Sequence, residues 1–284
     1  MPELAVSLAA LIDEGAEHLR RSDLGEPRRQ AIRIWTELGQ RAPAEFLLER
    51  QHPVDPAEAA RFHAAIVRRA RGEPLPHVTG RCGFRRLSLV SDSRGLIPRP
   101  ETEGLVELLL QRVHGGRIAD IGTGSGCIAL SLALEGAYEQ VTAIDSSAEA
   151  LALARENRKS AAARVSLVQA DFCAPLGPGT LDALISNPPY LTVAEYSSLE
   201  SSVRDWEPAL ALVSGEDGMA ATTRLLDEGR AVVRPGGWLA LEVDCTRAAA
   251  AAAQASAFGW SEVTIHIDLF GRERYLLAQR SNTR

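Results

Sequence analysis

Hydrophobic positions change their period once along the chain. Up to about residue 72 they recur at helical spacing: Leu4, Leu8, Leu11, Ile12 and Leu19, then Ile32, Ile34, Trp35 and Leu38, then Phe62, Ile66 and Val67. Pro27, Pro43 and Pro56 each read as the opening of a helix, whose first turn has no use for the missing N–H. The spacing predicts a small all-helical domain over residues 1–75. Over residues 76–100 prolines and glycines crowd together, and the alternation of Phe84, Leu87, Leu89 and Val90 predicts a β-hairpin linker. From 101 to 284 short apolar runs alternate with helical stretches. Residues 117–121, 140–144, 164–169, 181–186 and 238–243 read as strands, and 125–134, 148–159, 218–233 and 246–257 as helices. The third of these helices should stop at Pro235-Gly236-Gly237. Residues 262–267 and 273–278 lie close enough in sequence to form an antiparallel pair. The pattern predicts an α/β fold: a Rossmann-like, mostly parallel sheet with an antiparallel final strand, helices on both faces, and ligands beyond the carboxyl ends of the strands.

Composition narrows the partners. With 45% hydrophobic and 24% charged residues the chain reads as an ordinary globular protein. Its net charge of −6 leaves duplex nucleic acid only a local basic patch to grip, so no stable nucleic-acid binding is expected. The apolar start from Ala5 to Ile12 has no preceding positive charge and runs into Asp13 and Glu14, which argues for an amphipathic helix over a secretory leader. No apolar run reaches membrane-spanning length. Cys82, Cys127, Cys173 and Cys245 form no Cys-x-x-Cys pair or zinc-type spacing, so free thiols in the cytoplasm and no metal are expected.

Two constellations carry chemistry. Asp120-Ile121-Gly122-Thr123-Gly124-Ser125-Gly126 follows a strand and opens a helix, where glycines let the backbone turn sharply and approach a ligand. Its spacing is neither that of a dinucleotide fingerprint nor that of a P-loop, and a plain glycine-rich turn is the alternative. Asp145 ends the next strand, where it can accept from two ribose hydroxyls or cap the following helix. Asp171-Phe172 ends the third, where an acceptor beside a ring suits an adenine, or a turn. Three such sites in register favour a nucleoside-shaped ligand. The second constellation is Asn187-Pro188-Pro189-Tyr190. The side-chain oxygen of Asn187 and the carbonyl of Pro188 can accept both hydrogens of a planar NH2 group, while Tyr190 stacks on it. Such a clamp aims the lone pair of a poor, delocalised nucleophile and favours the more positive nitrogen that forms as a methyl group arrives.

On these residues the chain resembles the class I S-adenosylmethionine methyltransferases acting on planar NH2 groups, and more narrowly the release-factor glutamine methyltransferases (HemK/PrmC). Arg71 to Pro74, His77 to Gly80, Leu96 to Glu103, Trp206-Glu207-Pro208, and Asp268-Leu269 with Gly271 and Arg274 also carry the likeness. The resemblance implies a substrate-recognising helical domain and a catalytic domain that methylates N5 of the glutamine in a release factor's Gly-Gly-Gln motif, leaving S-adenosylhomocysteine. It implies that Asp120, Gly122, Thr123, Gly124, Gly126, Asp145, Asp171, Phe172 and Asn187 contact the cofactor. Asn187, Pro188, Pro189 and Tyr190 would hold the glutamine amide, with Arg99, Glu101 and Thr102 near the cofactor or the peptide entrance. A ribosomal-protein glutamine methyltransferase and an adenine-N6 nucleic-acid methyltransferase are the alternatives. Gly83, Asp244, Thr246 and Arg247 depart from the usual family pattern and bear on the protein substrate.

Overall fold

The computed structural model describes residues 6–22, 24–161 and 164–282; Leu4 and Ala5 lie outside them. The chain forms two compact units, Met1–Arg81 with Ser201–Trp206, and Cys82–Glu200 with Glu207–Arg284.

The first unit contains α1 (Leu8–Arg20), α2 (Pro27–Leu38), α3 (Glu45–Glu49), α4 (Pro56–Ala70) and α5 (Leu75–Thr79). Ser7 caps α1 by accepting from Ala10 N, and Asp55 caps α4 by accepting from Ala57 N and Glu58 N. The stripe Leu8, Leu11, Ile12 and Leu19 packs with Ile34, Trp35, Phe62 and Ile66. Each such side chain contributes roughly 1.5–3 kcal/mol by leaving water. A Cβ on Gly15 would lie 2.7 Å from Phe62 Cζ, so α1 can approach α4 this closely only at a glycine. Three expectations shift. Pro43 does not open α3 but sits in a turn before it, where the Glu45 carboxylate accepts from Ala42 N. Val67 is exposed, because the α4 stripe turns inward at Phe62, Ala65 and Ile66. The stretch expected to be linker from residue 76 begins inside α5, which Arg68 anchors by donating to His77 O and Val78 O.

The second unit, from Cys82, opens within the hairpin of β1 (Arg81–Phe84) and β2 (Leu87–Val90). From Cys82 on the hairpin packs with this unit. Phe84 and Leu89 lie in its core, and the Asn157 carboxamide accepts from Val90 N and donates to Val90 O. Then follow α6 (Pro100–Arg112), β3 (Arg117–Ile121), α7 (Cys127–Glu135), β4 (Gln140–Asp145), α8 (Ala148–Ala161), β5 (Val165–Gln169) and β6 (Leu181–Ser186). Short α9 (Val193–Ser197) and α10 (Ser201–Arg204) precede α11 (Ala220–Val232), β7 (Val233–Glu242), α12 (Ala248–Ala257), β8 (Trp260–Ile267) and β9 (Glu273–Arg280). Of these, α10 belongs to the first unit. The sheet runs β5-β4-β3-β6-β7-β9-β8, with β3 to β7 parallel and β9 antiparallel to both neighbours. One face is covered by Leu105, Leu109, Ile128 and Leu130 from α6 and α7, the other by Leu225, Leu226, Ala251 and Ala255 from α11 and α12. Pro235-Gly236-Gly237 is not a break between helix and strand. It lies in a bulge inside β7, where Gly236 takes φ +77 and a Cβ on Gly237 would meet Asp182 O at 2.8 Å.

The chain leaves β3 toward β4 and β5 on one side and returns to β6 on the other. A crevice therefore opens between the carboxyl ends of β3 and β6, the switch point of the sheet.

Candidate active site

A cavity of about 420 Å³ fills that crevice. Gly122 and Gly124 line it, with φ +70 and +55, and a Cβ on either would meet nothing within 4 Å. The bare backbone there leaves room for a ligand at close approach. The loop is held from below. Asp120 is fully buried and accepts from Thr123 Oγ1 (2.6 Å) and Ala129 N (3.1 Å), while its Oδ1 has no partner. Burial pushes its carboxyl up to about 7. Asp120, Thr123 and Gly126 thus stand behind the wall rather than on it. Gly126 opens α7 at φ +85, with its missing Cβ 3.3 Å from Ala154.

Asp145 lines the cavity and accepts from Gly124 N (2.8 Å) on one oxygen and Ser147 N (2.9 Å) on the other. Each oxygen keeps a further lone pair. The cap of α8 falls to Ser147, whose hydroxyl accepts from Ala150 N. Asp171 and Phe172 also line the cavity, but Asp171 Oδ2 is 2.6 Å from Arg224 Nη1, and the Arg224 guanidinium lies 4.3 Å over the Phe172 ring. Phe172 takes φ +46, a left-handed conformation that costs a non-glycine residue of the order of 1 kcal/mol.

On the opposite wall stand Ser186, Asn187, Pro188 and Pro189. The Asn187 amide nitrogen donates to Thr102 Oγ1 (3.1 Å), and that hydroxyl donates to Glu242 Oε2 (2.8 Å). Thr102 and Glu242 are both 2% exposed. With its nitrogen engaged there, Asn187 turns its oxygen away from Thr102. Burial pushes Glu242 up to about 7, and burial followed by the nearby Glu242 charge pushes the Tyr190 hydroxyl up to about 12. Tyr190 is partly buried and is not among the residues lining the cavity.

Arg99 and Glu101 do not line the cavity either. Arg99 pairs with buried Glu207 (2.6 Å), which also accepts from Ile97 N (3.0 Å), and the Glu101 carbonyl accepts from the Tyr275 hydroxyl. The Asp268 to Arg274 motif closes the β8–β9 connection: Asp268 accepts from Phe270 N and Arg272 N and pairs with Arg274. Arg247, one of the departures, pairs with Asp244 and Glu195. Sequence reasoning missed Glu242 and Arg224, and named Glu207 only within the Trp206-Glu207-Pro208 likeness, without its pairing to Arg99. A carboxylate closing an apolar run, as Glu242 follows Trp238 to Leu241 at the end of β7, was the available signal for the first. Among the described residues no cluster of three or more His, Cys, Asp or Glu side chains is placed to hold a metal ion, and no helix is long and apolar enough to cross a membrane.

Sheet order, glycine loop and strand-end carboxylate define a methyltransferase of the Rossmann-like class. Residues 100–201 match the family described as "Methyltransferase small domain", and residues 10–80 match the "PrmC N-terminal domain". A crystal structure of a methyltransferase from Pyrococcus furiosus shares the fold with a TM-score of 0.54 and 22% identity, over 69% of this chain and 89% of that one. A release factor glutamine methyltransferase from Deinococcus radiodurans is 39% identical over 97% of this chain and 99% of its own length. One from Nitratidesulfovibrio vulgaris is 36% identical over 97% and 96%. The chain belongs to the release factor glutamine methyltransferase family.

Proposed function

We propose that this enzyme transfers a methyl group from S-adenosylmethionine to the side-chain amide nitrogen of the glutamine in the Gly-Gly-Gln motif of a peptide chain release factor. The observation that carries the reading is Asn187, whose nitrogen is tied back to Thr102 so that its oxygen is left for an acceptor NH2. The open Cβ positions of Gly122 and Gly124 and the spare lone pairs of Asp145 suit a nucleoside-bearing cofactor. Gly122 and Gly124 would lie against its amino-acid part, Asp145 would accept from its ribose, and Phe172 would flank its adenine. Arg224 already occupies one acceptor site of Asp171 Oδ2, which leaves Oδ1 as its more open oxygen. When bound, the cofactor supplies an activated methyl group on sulfur, so the protein needs neither a metal nor a strong base.

The residues of this chain do the orienting. Asn187 Oδ1 and Pro188 O accept the two amide hydrogens. This holds the nitrogen lone pair in line and favours the positive charge that grows on nitrogen during transfer. The surplus proton then passes to water. The helical unit would dock the body of the release factor.

Incubation with methyl-labelled S-adenosylmethionine and a purified release factor, followed by peptide mapping, tests the reading. Label on the Gly-Gly-Gln glutamine is expected. Label confined to other residues, or to a ribosomal protein offered in competition, would contradict it.

A further inference from the structure

We propose that Glu242, acting through Thr102, fixes which end of the Asn187 carboxamide faces the cavity, and so is a positioning residue for the methyl acceptor. The inference rests on the glutamine-methylating reading above. Three elements contribute: Thr102 from the first turn of α6, Asn187 from the loop after β6, and Glu242 from the end of β7.

A threonine hydroxyl has one hydrogen to give. An ionised carboxylate can only accept, so beside ionised Glu242 the hydrogen of Thr102 goes to Oε2. The hydroxyl oxygen is then left to accept from Asn187 Nδ2. The chain has one direction, and it ends with the Asn187 oxygen free to accept from a substrate amide. A neutral carboxyl can donate instead. Thr102 can then receive from Glu242 and give its own hydrogen to Asn187 Oδ1. The carboxamide turned in this way offers its NH2 to the cavity, donor against donor, and the clamp is lost.

The groups facing Glu242 place both forms within reach. Burial favours the neutral form, as does Glu101. The hydrogen bond from Thr102, Arg274 on β9 and Arg99 before α6 favour the ionised one. Tyr190, after Asn187, and Tyr275, its cross-strand partner on β9, are uncharged neighbours whose own ionisation Glu242 opposes. The outcome of this balance, about 7, puts the reversal near neutral pH.

The test is methyl transfer to a release factor at saturating cofactor from about pH 5.5 to 9, by the wild type, Thr102→Ser, Thr102→Val and Glu242→Gln. The wild type and Thr102→Ser should lose kcat as pH falls, with a midpoint at or below about 7. Glu242→Gln, close in shape, should have no such limb. Thr102→Val should lose kcat by about 10- to 100-fold with its cofactor affinity kept. Asp120 also titrates near 7, but it sits under the glycine loop and would act on cofactor binding, which saturation hides. A Thr102→Val enzyme with wild-type kcat, or an acid limb that persists in Glu242→Gln, overturns the relay alone. If Thr102→Val does not fold, the contrast between Thr102→Ser and Glu242→Gln still decides. A wild type that leaves glutamine unmethylated overturns the functional reading and the relay with it.

Discussion

The two walls of the cavity are built in different ways. On the glycine side the support is part local, part carried by the neighbouring strand: Asp120 holds Thr123 and Ala129 within one loop and the helix that follows it, and Asp145 at the end of β4 holds Gly124 N. On the Asn187 side the support comes from far away in sequence, from Thr102, 85 residues earlier, and through it from Glu242. The glycine wall offers backbone, whose shape a ligand needs but whose chemistry is generic. The Asn187 wall offers one oriented oxygen, and orientation takes neighbours on other elements to enforce. The difference suggests a division of labour: binding on the first wall, discrimination of the reacting nitrogen on the second.

Substitutions that separate binding from turnover would break or sharpen that division. Asn187→Ala should cost about 100- to 1,000-fold in kcat, the range for losing one donor or acceptor aimed at developing charge, with the cofactor dissociation constant unchanged by calorimetry. Normal turnover would end the clamp account. Asp145→Ala should weaken cofactor binding by about 10- to 100-fold, with kcat at saturation altered much less. An unchanged dissociation constant would remove the ribose role and leave Asp145 as a brace for Gly124.

A smaller effect concerns stability. Asp120 ionises at about 7 in the fold, against 3.8 for an ordinary aspartate. The folded state therefore binds the proton more tightly, and stability falls as pH rises from about 4 to 7 and then levels. Glu242, raised from 4.5 to about 7, adds a slope of the same sign. Asp120→Asn should flatten this part of the urea-midpoint profile by under about 2 kcal/mol, since water entry and relaxation soften a buried ionisation. An identical profile would mean that Asp120 titrates normally. Least of all, Arg224→Ala should change cofactor affinity only a few-fold, because an exposed ion pair and one guanidinium–ring contact are each worth about 1 kcal/mol or less.

The same contrast explains what could be read from sequence. Strands β3 and β6 were legible to the residue, because short, mostly apolar runs of five and six residues bounded by turn formers admit few alternatives. The glycine loop and Asp145 were legible because one turn and one strand end carry them. The bulge at Pro235-Gly236-Gly237 was not, since a proline–glycine run announces a turn equally well, and only the register against β6 distinguishes the two. The five-residue α5 and α9 are too short to show a period. Thr102 could be placed near the site by resemblance, but its bond to Asn187 depends on α6 packing across the sheet. Glu242 and Arg224 gain their meaning only from neighbours that folding brings to them.

The most direct test is a crystal structure of the enzyme with S-adenosylhomocysteine and a peptide carrying Gly-Gly-Gln. The account predicts the glutamine amide nitrogen within about 3.2 Å of both Asn187 Oδ1 and Pro188 O, with its open side toward the cofactor sulfur. A glutamine whose nitrogen touches neither oxygen, in a complex that still turns over, would contradict it.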